Sequence, residues 1–185
     1  MEKKKFSLSL AMIFVVGMMN SYTYLMRDGT FASMHTGNLI KACFDIAEGK
    51  FNALHTFLVP ILAFMLGIVT QYFLINVKRG TLYCALLICV SYVSALFIPM
   101  GVLNFLSVAI LSYGIGIQLQ MVRKVNGVDL ATTMCTGNIR SMTERIAKLI
   151  KTKDKALILG IITYFSIIVS FVIGVTVGAV IVNTI

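Results

Sequence analysis

The amino-acid sequence predicts an all-α integral membrane protein, and three observations lead to that fold class. Hydrophobic residues make up 58% of the chain and charged residues only 12%, whereas soluble domains have roughly 45–50% and 25%. Several apolar runs reach the roughly 20 residues that a helix needs to cross the bilayer core. Thr-Gly-Asn occurs twice, at 36–38 and 136–138, each time between apolar runs. The sequence therefore predicts one membrane domain, residues 1–185, that contains an internal repeat.

Five of the apolar runs are long enough to be predicted as full spans. They cover about 6–25, 54–77, 82–99, 105–121 and 157–182. The first follows the basic start Lys3 to Lys5 but lacks a convincing cleavage site, so we expect it to be retained as a span. The first repeat unit then covers about 6–99 and the second about 105–185.

The two Thr-Gly-Asn segments, about 30–47 and 128–150, are predicted to be re-entrant or broken helices. After Asn138, the charged residues Arg140, Glu144 and Lys148 recur at every fourth position, opposite an apolar face. This pattern is typical of an interfacial amphipathic helix, and a full crossing of the bilayer would be costly for it.

The distribution of basic residues favours an inverted repeat. If both Thr-Gly-Asn segments dip into the membrane and return, thirteen of the sixteen Lys and Arg residues lie on the side of the N-terminus. The positive-inside rule then places that side in the cytoplasm, and we expect a multi-pass protein of the bacterial inner membrane. The alternative is seven full transmembrane helices with parallel repeats, which would place the basic pairs at 78–79 and 123–124 outside.

A Thr-Gly-Asn at the start of a half-helix offers free backbone N–H groups, a side-chain cap and the positive end of the helix dipole, which suit an anion or another polar solute. Polar side chains of the preceding spans could complete the same cavity. The candidate substrate-binding residues are Thr36, Gly37, Asn38, Thr136, Gly137, Asn138, Asn20, Gln118 and His35. The competing interpretation is that the small residues form helix-packing faces and the amides bond neighbouring helices.

Other functional classes find little support in the sequence. The net charge of +9 is spread over short loops rather than over a basic domain with interleaved aromatic residues, so no nucleic-acid partner is expected. The four cysteines contain no C-x-x-C pair, and the common catalytic motifs are absent, so we expect no metal, no cofactor and no enzymatic activity.

The chain resembles the YoaK-like family of bacterial membrane proteins, a family of unknown function usually described as six-spanning. The resemblance rests on Phe31 to Asn38, Phe64 to Gly67, Gly116 to Gln118 and Thr132 to Asn138, besides Gly17 to Leu25. It implies a polytopic helical fold and brings no substrate with it. The family often has an acidic residue where this chain has Asn20, and its second unit would have one more span than is found here.

Two functions from different classes follow. The first is a small inner-membrane transporter or channel whose small polar or anionic solute binds between the two Thr-Gly-Asn helix starts. The alternative is a non-transporting scaffold or sensor that assembles through glycine-rich helix faces. An intramembrane enzyme using His35 and Cys135 is a third, weaker hypothesis. The short chain favours a homodimer in the lipid bilayer.

Overall fold

The computed structural model describes residues 2–51, 54–121, 124–130 and 135–184. Within these ranges the chain forms seven helices and one two-stranded ribbon. In chain order they are α1 (Glu2–Met26), α2 (His35–Ala47), α3 (Leu54–Leu74), α4 (Gly80–Leu96), α5 (Asn104–Met121), β1 (Lys124–Val125), β2 (Val128–Asp129), α6 (Cys135–Thr152) and α7 (Leu157–Thr184).

Three helices are long and apolar enough to cross a membrane, as judged by length and composition. They cover Lys4–Met26, Leu54–Leu74 and Leu157–Thr184, and α4 is a shorter apolar helix. Because lipid cannot satisfy backbone polar groups, a chain this apolar crosses the bilayer as helices. The predicted helical membrane protein is therefore confirmed at this level, and the five predicted spans correspond to α1, α3, α4, α5 and α7.

The ribbon was not predicted, because the sequence pattern suggested helix and loop only. Lys124 pairs with Asp129 and Val125 with Val128. The turn residues Asn126 and Gly127 both have positive φ, 50° and 73°, which is the conformation of a type I′ hairpin. The Asn-Gly dipeptide was the available signal.

The helices form two tightly packed parallel pairs, α1 with α7 and α3 with α5. In the first pair, Gly17 is so close to the backbone of Phe171 that an added Cβ would lie 2.5 Å from its carbonyl oxygen. In the second, Gly116 is equally close to Phe64, with a corresponding distance of 2.3 Å. The reciprocal contacts have the same form: Gly174 on Phe14 and Gly67 on Tyr113. The two crossings are thus built alike, and in each a glycine allows two helix backbones to touch.

Contacts along each helix pair show the relative direction of its two helices. The Ser170 hydroxyl donates to the Leu10 carbonyl, while Gly178 lies against Met18, so α1 and α7 run in the same direction. The rings of His55 and Phe105, near the starts of α3 and α5, are 4.9 Å apart. These two helices therefore also run in parallel.

The end of α1 lies beside the connector between α4 and α5. Arg27 donates hydrogen bonds to the carbonyls of Ile98 (2.7 Å) and Pro99 (3.2 Å) and to Oδ1 of Asn104 (3.0 Å). We call this the connector end of the bundle, and the opposite end, where α1 begins, the basic end. Helices α3 and α5 begin at the connector end. Helix α2 therefore joins the end of α1 to the start of α3 at that same end. Helix α5 ends and α7 begins at the basic end, so α6 joins the two helices there.

Candidate functional site

Helix α2 begins at His35, so Thr36, Gly37 and Asn38 form its first turn. The predicted side-chain cap is wrong at this position, because the N-cap residue is Met34 and no side chain caps it. Asn38 is fully buried and binds the backbone of Phe31 instead. Its Oδ1 accepts from the Phe31 N–H (2.9 Å) and its Nδ2 donates to the Phe31 carbonyl (2.8 Å). Asn38 therefore closes residues 31–38 into a fixed loop.

Asn20 holds the same loop against α1. Its Nδ2 donates to Ser33 Oγ (2.8 Å) and to the Val16 carbonyl (2.8 Å), and its Oδ1 accepts from the Ser33 N–H (3.1 Å). From α5, the Ser112 hydroxyl donates to the Ala32 carbonyl (2.8 Å). Asn20 is six residues from the end of α1, or about 9 Å along its axis. The loop therefore reaches into the bundle from the connector end.

His35 occupies the inner tip of this loop. Its ring is 4.5 Å from that of Phe64, midway along α3. Both ring nitrogens are buried and neither has a hydrogen-bond partner. A buried polar group without a partner costs about 1–3 kcal/mol, so this position calls for an explanation.

The remaining residues of the first turn differ in exposure. Thr36 is exposed, whereas Gly37 is half-buried, and a Cβ at Gly37 would lie 3.2 Å from the ring of Phe31. Phe31 in turn stacks on Tyr24 at 4.9 Å. Gly37 thus lies where the helix passes close to an aromatic ring, and a larger residue would need the ring to shift slightly, which is a packing role.

The second Thr-Gly-Asn occupies the same place in α6, which begins at Cys135. Thr136 is exposed, Gly137 is half-buried and Asn138 is 2% exposed. Thr133 and Met134, the first two positions of this copy, lie outside the described residues. The preceding ribbon packs on α1 and α7 through a buried cluster consisting of Ile13, Val125, Val128, Leu130, Tyr164 and Ile167. The Tyr164 hydroxyl also donates to the Asp129 carbonyl (2.9 Å).

Gln118 lies apart from the first loop and bridges three helices. Its Oε1 accepts from the Tyr92 hydroxyl of α4 (2.7 Å), and its Nε2 donates to the Met12 carbonyl of α1 (3.1 Å). The side chain is 2% exposed. Gln118 therefore makes the hydrogen bonds between helices that are expected if the amides serve helix packing.

The structure gathers some of the predicted site residues and separates others. Asn20, His35 and Asn38 surround one loop, while Gln118 binds elsewhere on α1. Five cavities in the described part of the chain have lining residues that can be compared with the two Thr-Gly-Asn segments, and none of the five is lined by residues of both. A site between the two helix starts therefore stays a prediction.

Arg27 was not recognised in the sequence as an important residue. It is 2% exposed, and besides the connector it binds the Tyr22 hydroxyl through Nε at 2.9 Å. Asp28 reaches it through Asn104, whose Nδ2 donates to the Asp28 carboxylate (3.0 Å). An arginine directly after an apolar run predicts an interfacial charge, so only the tertiary structure reveals its burial.

The family comparison can now be added to this geometry. A family model described as "Protein of unknown function (DUF1275)" matches residues 8–184. The chain belongs to this family. The predicted resemblance to the YoaK-like family is in keeping with that finding. Comparison with curated proteins and with solved structures finds no match. Membership in DUF1275 thus extends over nearly the whole chain and assigns no activity, so the function has to be argued from the residues.

Proposed function

We propose that the chain is a small transporter or channel of the bacterial inner membrane, built as an inverted repeat with five crossings. Support comes from the two glycine crossings. Because α1 packs on α7 in the same way as α5 packs on α3, α1 corresponds to α5 and α7 corresponds to α3. The relation also pairs α2 with α6, the two helices that open with Thr-Gly-Asn. Because α1 ends where α5 begins, the paired helices run in opposite directions. Inverted repeats with broken helices are a common architecture of transporters.

In the proposed topology, the N-terminus and the basic end of the bundle are cytoplasmic. The basic residues at the start of α1, between α3 and α4, after α5 and along α6 then share one side. On the other side, Lys50 pairs with Glu48 at 2.5 Å. Helices α2 and α6 each return to the side from which their segment entered.

The unpartnered ring of His35 is the single observation that carries the proposed function. An imidazole has a donor and an acceptor to offer, and both are buried at the tip of a loop that reaches the middle of α3. Polar groups at membrane depth are expensive and usually functional. A small polar or anionic solute bound there would give the ring its missing hydrogen-bond partners, whereas the backbone N–H groups of Gly37 and Asn38 already donate to the Met34 carbonyl.

The test is a solute screen by thermal stability, with the two histidines of the chain as a matched pair. A solute that binds the folded state raises Tm according to its concentration relative to Kd. We expect His35→Phe, which keeps a ring beside Phe64, to abolish that rise. The control His55→Phe changes an exposed ring near the start of α3 and should keep the rise. A rise that persists unchanged in His35→Phe would exclude this site.

A non-transporting scaffold or sensor is the second candidate, and one observation favours it. Asn20, Asn38 and Gln118 each direct their amide groups to partners within the chain, as expected of structural residues. A scaffold would show no stabilisation by any solute but would self-associate, for example as a homodimer. Because a homodimer is expected of a transporter as well, the lack of a solute response is what would distinguish the scaffold.

A further inference from the structure

A groove of about 610 Å³ runs between α1 and α4 at the basic end of the bundle. Its volume lies in the range of small-molecule sites. Its walls come from α1 and α4, and its back from the end of α5. The lining residues used below are Lys5, Ala11 and Val15 of α1, Tyr92 of α4, Gln118 of α5, and Lys124.

The groove extends through only half of the bilayer. From Lys5 to Val15 the rise along α1 is about 15 Å, which is half of the roughly 30 Å hydrocarbon core. Near its inner end lies the bridge made by Gln118, which accepts from Tyr92 and donates to the Met12 carbonyl. The groove is therefore open to one leaflet.

The mouth and the interior of the groove differ in chemistry. Lys5 and Lys124 lie at the mouth and both are exposed, while the walls further in are almost entirely apolar. Asp129 comes within 3.9 Å of Lys124, but both side chains are well exposed, so this pair is weak. The mouth thus presents ammonium groups above an apolar slot.

The relation between the crossings explains why this face of α1 is uncovered. On α5, the corresponding face carries α4: Ser107 donates to the Ala95 carbonyl (2.8 Å), and Gly114 lies against Ser91. Gly17 of α1 corresponds to Gly116 of α5. By the same offset, Ser107 and Gly114 of α5 correspond to Leu8 and Val15 of α1, which line the groove. No helix in the described part of the chain covers them, and the bilayer is the neighbour that remains.

We propose that one acyl chain of an anionic glycerophospholipid occupies this groove, with its phosphate between Lys5 and Lys124. Basic pockets beside transmembrane helices bind anionic headgroups, and the apolar slot has the depth of one leaflet. A spanning helix would need about twice that length. The lipid comes from the leaflet on the basic side.

The experiment compares phosphatidylglycerol with phosphatidylcholine of the same acyl chains, added to the purified full chain in detergent. Native mass spectrometry and Tm report retention and stabilisation. We expect phosphatidylglycerol to be retained roughly tenfold better, because the lysines attract its charge. The double variant Lys5→Gln/Lys124→Gln should lose this preference. The control Lys78→Gln/Lys151→Gln, which removes two exposed charges of the same end outside the groove, should keep it.

A second variant tests the apolar slot separately from the charges. Ala11→Phe fills the groove and should lower the retention of both lipids, whereas Leu86→Phe, on the exposed outer side of α4, should leave it unchanged. Unchanged retention in Ala11→Phe would show that the headgroup binds at the surface only, which overturns the proposal. The proposal also fails if the lysine double variant keeps its preference. It fails equally if a cysteine at position 11 cross-links to a second copy of the chain.

Discussion

At the scale of single residues, the buried amides act chiefly on the backbone of loops and helices. Asn38 and Asn20 between them hold both ends of the loop 31–33. Loop backbone at membrane depth is tolerated only when protein groups satisfy it. In the proposed re-entrant arrangement, these asparagines would provide that satisfaction.

The first prediction concerns Asn38. Asn38→Ala leaves the Phe31 N–H and carbonyl without their partner, and we expect a loss of about 2–4 kcal/mol in the free energy of unfolding. Unfolding in detergent by a denaturing surfactant measures it. Thr36→Ala, at an exposed position of the same turn, should change stability by less than about 0.5 kcal/mol. Equal losses in the two variants would contradict the structural role of Asn38.

The second prediction concerns Arg27, whose donors bind Tyr22, Asn104 and the connector. We expect Arg27→Met to lower the free energy of unfolding by about 2–4 kcal/mol, because hydrogen bonds to a charged group are stronger than neutral ones. Arg27→Lys should recover little, since an ammonium cannot reproduce the planar fork. Lys50→Met, which breaks an exposed pair, is the control. A loss as small as that of the control would refute the prediction.

The sequence singled out three amide residues as candidates but did not indicate what they bind. Asn20, Asn38 and Gln118 stood out because amides are rare in apolar runs. Their partners include backbone groups of Ser33, Phe31 and Met12 and the hydroxyls of Ser33 and Tyr92, and pattern analysis gives no access to such contacts. His35 was predicted as a candidate binding residue, which stays a prediction, and its lack of a hydrogen-bond partner was not foreseen.

At the scale of elements, hydrophobicity predicted the helices because bilayer thickness dictates their length. The observed ends differ by a few residues, for example Leu74 rather than residue 77 for α3. The ribbon at 124–129 was missed although Asn126-Gly127 is a hairpin signal. The surrounding apolar runs outweighed a motif of two residues.

The third prediction concerns the glycines of the two helix crossings. Gly17→Ala and Gly116→Ala each place a methyl group against a carbonyl oxygen, and we expect a loss of about 1–3 kcal/mol from each by overpacking. Similar losses at both sites would support the relation between the crossings. Val90→Ile adds one carbon at an exposed position of α4 and should be neutral. If only one glycine were sensitive, the two crossings would not be equivalent.

At the scale of the whole molecule, the helix pairs join the two proposed repeat units. Helix α1 of the first unit packs on α7 of the second, and α3 packs on α5. Each unit thus buries its apolar faces mainly against the other. The unit boundaries themselves, about 6–99 and 105–185, stay a prediction.

The fourth prediction tests the topology by labelling single cysteines in a background without the four native ones. The variant Val102→Cys, at a connector position that is 92% exposed, should react with an impermeant reagent from outside the cell. Cysteines in place of Lys78 and Lys151 should react only after the membrane is opened. Labelling at 78 from outside would instead support seven crossings with parallel repeats.

The pairing of α1 with α7 has a consequence for biosynthesis. The ribosome completes α7 about 150 residues after α1, which at 5–20 residues per second takes roughly 10–30 s. During that interval α1 is already in the bilayer, and Gly17 has no helix to pack against. Helix α1 must therefore persist without its partner α7 until that last helix is inserted, although α3 and α5 can pair earlier. A membrane protease or a chaperone would encounter this protein at that stage.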